Sequence, residues 1–140
     1  MCLKTNQKRV KLTSEETECY KLLQIDRDKG YFFTPYQGEI ISQEVLDGKK
    51  AFRAKGFIRK RKYDVSDNEI FEYDKGLIHA FLEEPNRYEC TGFVVVKCHV
   101  PKNVCYAKND VQIAAKEIVF DEIVFDGRRG EYNKKYYNLN

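Results

Sequence analysis

The sequence predicts an α+β fold, a single compact domain that is mainly antiparallel sheet with few short helices. Three observations carry that prediction. "GFVVVKCHV" (92–100) is a β-branched run stopped by Pro101, the strongest strand signal in the chain. "IAAKEIVFDEIVF" (Ile113 to Phe125) is a second extended segment, long enough to bend or to split in two, and it supplies a partner for the first. Helical signals, by contrast, are brief: "TSEET" near residue 14, and "EEPNRYEC", where Pro85 sits near the first position of a single turn. A chain of 140 residues fits one domain with its own core, and 42% hydrophobic with 14% aromatic residues excludes general disorder despite 34% charge.

In chain order, residues 1–13 are polar and basic and read as a mobile or loosely docked lead-in. "CYKLLQID" (Cys19 to Asp26) is a strand by its length and by its turn-forming exit, Asp-Arg-Asp-Lys-Gly. "YFFTPY" (Tyr31 to Tyr36) pairs with it across that turn. Pro35 donates no ladder hydrogen bond, so this piece lies at an edge or bends away at Thr34. The stretch 39–67 is a basic excursion: Ala51, Ala54, Lys55 and Ile58 give a helical stripe that Gly56 interrupts, and residues 57–63 read as strand with cations on both faces. "IFEYDKGLIHAF" (Ile70 to Phe81) forms two short extended pieces around Asp74 to Gly76. In the second long segment, Ile118, Phe120 and Glu122 share one face by alternation while Val119 and Asp121 share the other. The tail, 127–140, is polar and Tyr-rich, with no periodicity.

Charge is unevenly divided. Lys49 to Tyr63 holds eight cations and no acid; the rest of the chain carries 17 cations against 22 acids, so the net charge of +3 resides in one segment. That is unlike the coat of positive charge on a general nucleic-acid binder. The longest apolar run, "FVVV", is too short to cross a bilayer, which needs about 18 residues. Five cysteines, an odd number, with no apolar leader ahead of them, lead us to expect a soluble protein of a reducing cytoplasm.

Several constellations invite chemistry. Cys90, Cys98, His99 and Cys105 are residue types that bind zinc, yet Cys98 and His99 are neighbours in a strand and point to opposite faces, and no Cys-x-x-Cys pair exists. Glycine-rich phosphate cradles and a nucleophile elbow are absent, so no cofactor is implied. The basic run Arg59, Lys60, Arg61, Lys62, with Phe52, Phe57 and Tyr63 interleaved, fits three roles: a solvated segment, a single-stranded nucleic-acid contact, or a clamp for a small phosphorylated ligand. His79, in "GLIHAF", fits either a hydrogen-bonded structural position or a site.

"MCLKTN", "ECYKLL", "FFTPYQG", "GLIHAF" and "VVVKCHVPKNVCY", in that order, resemble a family of small uncharacterised proteins of bacteriophages and their bacterial hosts. This chain departs from the family outline at Ile78, an extra residue before His79, and at Asn103, where a glycine follows Pro-Lys; Asn tolerates the same positive φ. The resemblance implies a phage or mobile-element setting and action on host proteins or signalling molecules, in the host cytoplasm. In layout the chain also resembles the ADP-ribosyltransferase fold, which would make Lys21, Tyr36, His79 and Glu117 the catalytic candidates, with Glu117 stabilising a developing ribosyl cation.

The functional expectation is therefore a non-enzymatic protein that binds a nucleotide-like anion. Arg53, Arg59, Lys60, Arg61, Lys62, Tyr63, Tyr36 and His79 would line its site, and sequestration of a host signalling nucleotide would counter host defence. An enzyme acting on NAD, or an inhibitor docking its basic segment on an acidic protein or a nucleic acid, stands as the alternative. Pro35 at an edge also leaves room for a homo-oligomer.

Overall fold

A computed structural model describes residues 3–26, 28–35, 37–86, 90 and 92–127. Among them 54% are strand and 3% helical, so the fold is mainly β, which corrects the α+β expectation. The strands, in chain order, are β1 (Leu3–Thr5), β2 (Lys11–Leu12), β3 (Thr17–Ile25), β4 (Phe32–Phe33) and β5 (Ile40–Ile41). The helix α1 (Gln43–Leu46) follows, then β6 (Phe52–Arg53), β7 (Arg59–Val65), β8 (Asn68–Lys75) and β9 (Ile78–Phe81). The series ends with β10 (Val94–Val100), β11 (Cys105–Lys108), β12 (Gln112–Ala115) and β13 (Glu117–Asp126).

The predicted helices fail for local reasons. "TSEET" is too short to propagate, and Thr17 is drawn into β3, whose alternation buries Cys19 and Leu23. The Ala51–Ile58 stripe is extended instead: Phe52 goes inward and Arg53 outward in β6, and Gly56 turns the chain at φ +78°. Residues 83–86 form no helix, and 87–89 lie outside the described residues. The single turn of α1 is capped by Ser42, whose hydroxyl accepts from the Val45 amide at 3.3 Å.

Most strands join one long antiparallel sheet in the order β2-β11-β12-β9-β3-β10-β13-β6, with β4 and β5 attached to the side of β3. The predicted strand β10 is central, pairing β3 over Val94–Val100 and β13 through two irregularities. The segment 113–125 splits at Lys116 into β12 and β13. One face of the sheet carries the main core, including Cys19, Leu23, Val94, Val96, Cys98, Ile118 and Phe120.

A second sheet, β1-β8-β7, lies over the other face near β11 and β12. Leu3, Phe71, Tyr73 and Leu77 pack there on Ala107 and Ala114, small residues that let the two layers approach closely. Covered on both faces, β12 reads as a continuous buried run, Ile113-Ala114-Ala115. The lead-in is therefore docked rather than loose: Leu3 is fully buried, and Gln7 bonds the Tyr106 carbonyl and accepts from the Lys108 amide. Asn103 takes φ +64° in the turn between β10 and β11, as its residue type allows.

Candidate functional site

The edge of β3 opposite β10 is shared by two other strands. β9 touches it at one pair, Tyr20 with Phe81, and β4 at Gln24 and Ile25. Between these contacts, residues 21–23 pair only with β10 among the described strands. A cavity of about 490 Å³ opens beside this interval. Its walls are Lys21 of β3, the turn after β4 (Thr34, Pro35, Gln37, Glu39), Phe52 to Lys55 with Arg53 excepted, and the run from Lys75 to His79.

Lys21 is the unusual wall residue. Strand alternation places it on the core face of β3 between Cys19 and Leu23, and its cross-strand partner on β10 is the buried Val96. Its Nζ donates to the His79 carbonyl oxygen at 2.7 Å, bridging the divergent strands. Burial lowers its pKa from 10.5 to about 8, against a smaller opposing pull from the Cys98, Cys19 and Glu39 side chains. Two further lysines, Lys55 and Lys75, stand at the rim. Among the described wall residues one carboxylate faces these three amines: Glu39, 3.4 Å from the Lys55 Nζ. Thr34 holds the turn in place, its amide donating to the Glu39 carbonyl at 2.9 Å and its hydroxyl accepting from the Glu39 amide at 3.0 Å.

The opposite wall depends on glycine. Gly76 has φ +81°, and a Cβ there would lie 2.6 Å from the Ile58 nitrogen. Lys116 Nζ ties the same wall together by donating to the Gly56 carbonyl at 2.8 Å and the Gly76 carbonyl at 3.3 Å.

His79 lines the cavity, but its ring serves the packing between the sheets. Ile78 and Ala80 face the main core, and the imidazole Nε2 lies 3.0 Å from the Tyr73 carbonyl of the second sheet. A carbonyl only accepts, so Nε2 carries the hydrogen. Burial lowers the His79 pKa, against the opposing hydrogen bond to Tyr73 and with the help of the Lys21 charge.

The remaining sequence candidates lie elsewhere. Arg53 points away from Phe52, and its Nε meets the Glu117 carboxylate at 2.9 Å on the far side of the sheet. Neither Arg53 nor Glu117 lines the cavity, so the Lys21-His79-Glu117 constellation is divided. Tyr36 is outside the described residues.

The basic run forms β7, an edge strand exposed along its whole length. Arg59 forks onto Asp74, and Arg61 reaches the same carboxylate at 3.7 Å, which lowers the Asp74 pKa. Lys60 lies over the Phe71 ring, 5.1 Å from its centroid, and donates to the Lys8 carbonyl at 2.6 Å. Lys62 pairs with Glu69 at 3.4 Å, and Tyr63 is partly exposed.

The described cysteines give no metal ligand set. Cys98 faces Cys19 in the core, where burial pushes its thiol pKa up, while His99 turns out to Asp121 at 2.9 Å. Among the described residues no three His, Cys, Asp or Glu side chains gather as a metal site, and no helix is long and apolar enough to cross a membrane.

Sequence reasoning reached Lys21 only through the transferase resemblance. The alternation Cys19-Lys21-Leu23 could have exposed it as a lysine on an apolar strand face. Lys55, Lys75 and Glu39 had no signal, because their convergence depends on three separate turns. No protein-family model, curated protein or solved structure gives a match to this chain.

Proposed function

We propose that this chain binds a small anionic ligand of nucleotide size in the cavity beside β3, and acts by holding that ligand rather than by turning it over. The observation that carries the reading is the charge of the walls: three amines, one of them set into the core face of a strand, against a single carboxylate. A lysine in that position costs stability, and an anion bound next to it would offset the cost. The volume lies within the range of small-molecule sites, and Phe52 offers an aromatic wall.

The cations of β7 take a different part in this reading from a clamp over the ligand. Arg59 and Arg61 are engaged by Asp74 and the strand is open to solvent, so their contribution is long-range attraction of the anion toward the molecule. Sequestration of a host signalling nucleotide is the setting that the phage resemblance suggests, and it requires affinity and abundance only.

Thermal denaturation against a panel of mono-, di- and cyclic nucleotides tests the reading. A ligand at 100 times its dissociation constant stabilises by about 2.7 kcal/mol, a rise of several degrees in Tm for a domain of this size. A panel that leaves Tm unmoved at millimolar concentration would end the assignment to nucleotides.

A further inference from the structure

We infer that Lys21 is a nucleophilic amine that condenses with the carbonyl carbon of an anionic aldehyde or ketone held in the cavity, forming an imine. The inference rests on the anion-binding reading and narrows its ligand to a class, carbonyl compounds that carry a phosphate or carboxylate.

The position of the amine supports it first. Lys21 lies on the core face between Cys19 and Leu23, opposite Val96, and its only hydrogen-bond partner among the described residues is the His79 carbonyl. The nearest wall carboxylate, Glu39, has its own cation in Lys55. A neutral amine that gives one hydrogen to a carbonyl keeps its lone pair unengaged, and the space beside it is the cavity.

The protonation state supports it second. With a pKa of about 8, roughly a tenth of Lys21 is free base at neutral pH, against less than about one in a thousand for an exposed lysine. Desolvation of a lysine in an apolar setting is an established way to activate it for imine formation. The rim supports it third: Lys55 and Lys75 provide positive charge for the anionic part of a ligand whose carbonyl reaches Lys21.

The chemistry balances without an outside reagent. The Nζ lone pair adds to the carbonyl carbon, the C=O π pair moves to oxygen, and a proton passes from nitrogen to that oxygen to give a carbinolamine. The nitrogen pair then expels the oxygen, which takes up the remaining proton of the nitrogen and leaves as water, and a C=N bond remains. Nothing is oxidised or reduced. Hydrolysis reverses the step, so the ligand is retained longer than charge alone would hold it and is released intact.

Pyridoxal 5′-phosphate, an aldehyde with a phosphate, and pyridoxine 5′-phosphate, its alcohol counterpart, separate the two ideas. The full chain is incubated with the aldehyde, reduced with borohydride and mapped by peptide mass spectrometry. The expected adduct is on Lys21, at a rate that rises with pH, is half-maximal near 8 and levels off above it. The alcohol should slow it by competition. Lys21→Arg, whose guanidinium stays protonated and cannot add to a carbonyl, should lose the adduct. Lys21→Met provides a second variant, free of the demands of a larger side chain, and should also lose the adduct. Labelling of Lys55, Lys75 and surface lysines with Lys21 unmodified would overturn the imine. Binding of pyridoxine 5′-phosphate or of any nucleotide would then leave the anion-binding reading standing, and silence from all of them would remove both.

Discussion

Replacing Lys21 with methionine should make the protein more stable at neutral pH and less stable in alkali. The folded pKa of about 8 lies below the ordinary 10.5, so between those values the unfolded chain binds more protons than the folded one. Stability contributed by this group therefore rises with pH through that window and is lowest below it. At about 1.4 kcal/mol for each tenfold in the proton equilibrium, the full effect is about 3 kcal/mol, an upper figure because the cavity admits water to the amine. Methionine removes this cost and keeps most of the apolar stem, but leaves the His79 carbonyl without its donor, a loss of about 1 kcal/mol. The variant should then gain about 2 kcal/mol at pH 7, and the gain should vanish and reverse as the pH approaches 10. Urea denaturation of both proteins across that range measures the difference directly, since all other titrating groups are common to both. A difference that stays constant with pH would refute the claim that Lys21 is a desolvated amine.

Three other substitutions test separate parts of the description. Gly76→Ala adds a Cβ against the backbone of Phe57 and Ile58 and should cost about 2–4 kcal/mol by urea denaturation, whereas Gly30→Ala, at a similar φ in open space, should cost only about 1–2 kcal/mol. Glu117→Gln breaks an ion pair with an arginine that is three-quarters exposed; it should change stability by less than about 1 kcal/mol and leave ligand affinity in calorimetry unchanged, whereas loss of an NAD-consuming activity in that variant would favour the transferase alternative. Lys60→Ser with Lys62→Ser should slow association several-fold at low salt, with the dissociation rate unaltered, in stopped-flow measurements; an effect confined to dissociation would place these lysines in the site itself.

Strands were more legible than the site. β10 could be read because a β-branched run ending at proline has few other fates, and the split of 113–125 was among its anticipated outcomes. Helical stripes misled, since a few apolar residues at helical spacing also fit a short strand and a turn when Gly56 intervenes. In the basic run, exposure and extended form followed from cations on both faces, but the carboxylate that engages its arginines was hidden: Asp74 lies 15 residues from Arg59 and meets it only because β7 and β8 form a hairpin. The cavity was less legible still. It exists because β9 and β4 touch one edge of β3 at separated points, and strand register of that kind is a property of non-local pairing.

Three departures from ordinary sheet construction meet at that place, and they arise from different physics. Among the described residues an edge interval of β3 lacks a ladder partner on one side, a lysine occupies an apolar strand face, and a glycine at positive φ is packed where no Cβ fits. Each has a bland explanation by itself: sheets diverge, long side chains reach water, and tight turns use glycine. Their coincidence is harder to account for by packing. A methionine at Lys21 would suit the core better, and closing β9 onto β3 would satisfy more backbone groups, so the fold has cheaper solutions along both routes. Sequences tend to violate local rules where function requires it, and the violations here border one volume whose charge is positive. The basic strand that stands out in the sequence obeys those rules, with its cations in solvent on an edge, where positive charge also discourages pairing with a second chain. The quieter lysine in "CYKLL" is therefore the better place to test the anion-binding proposal.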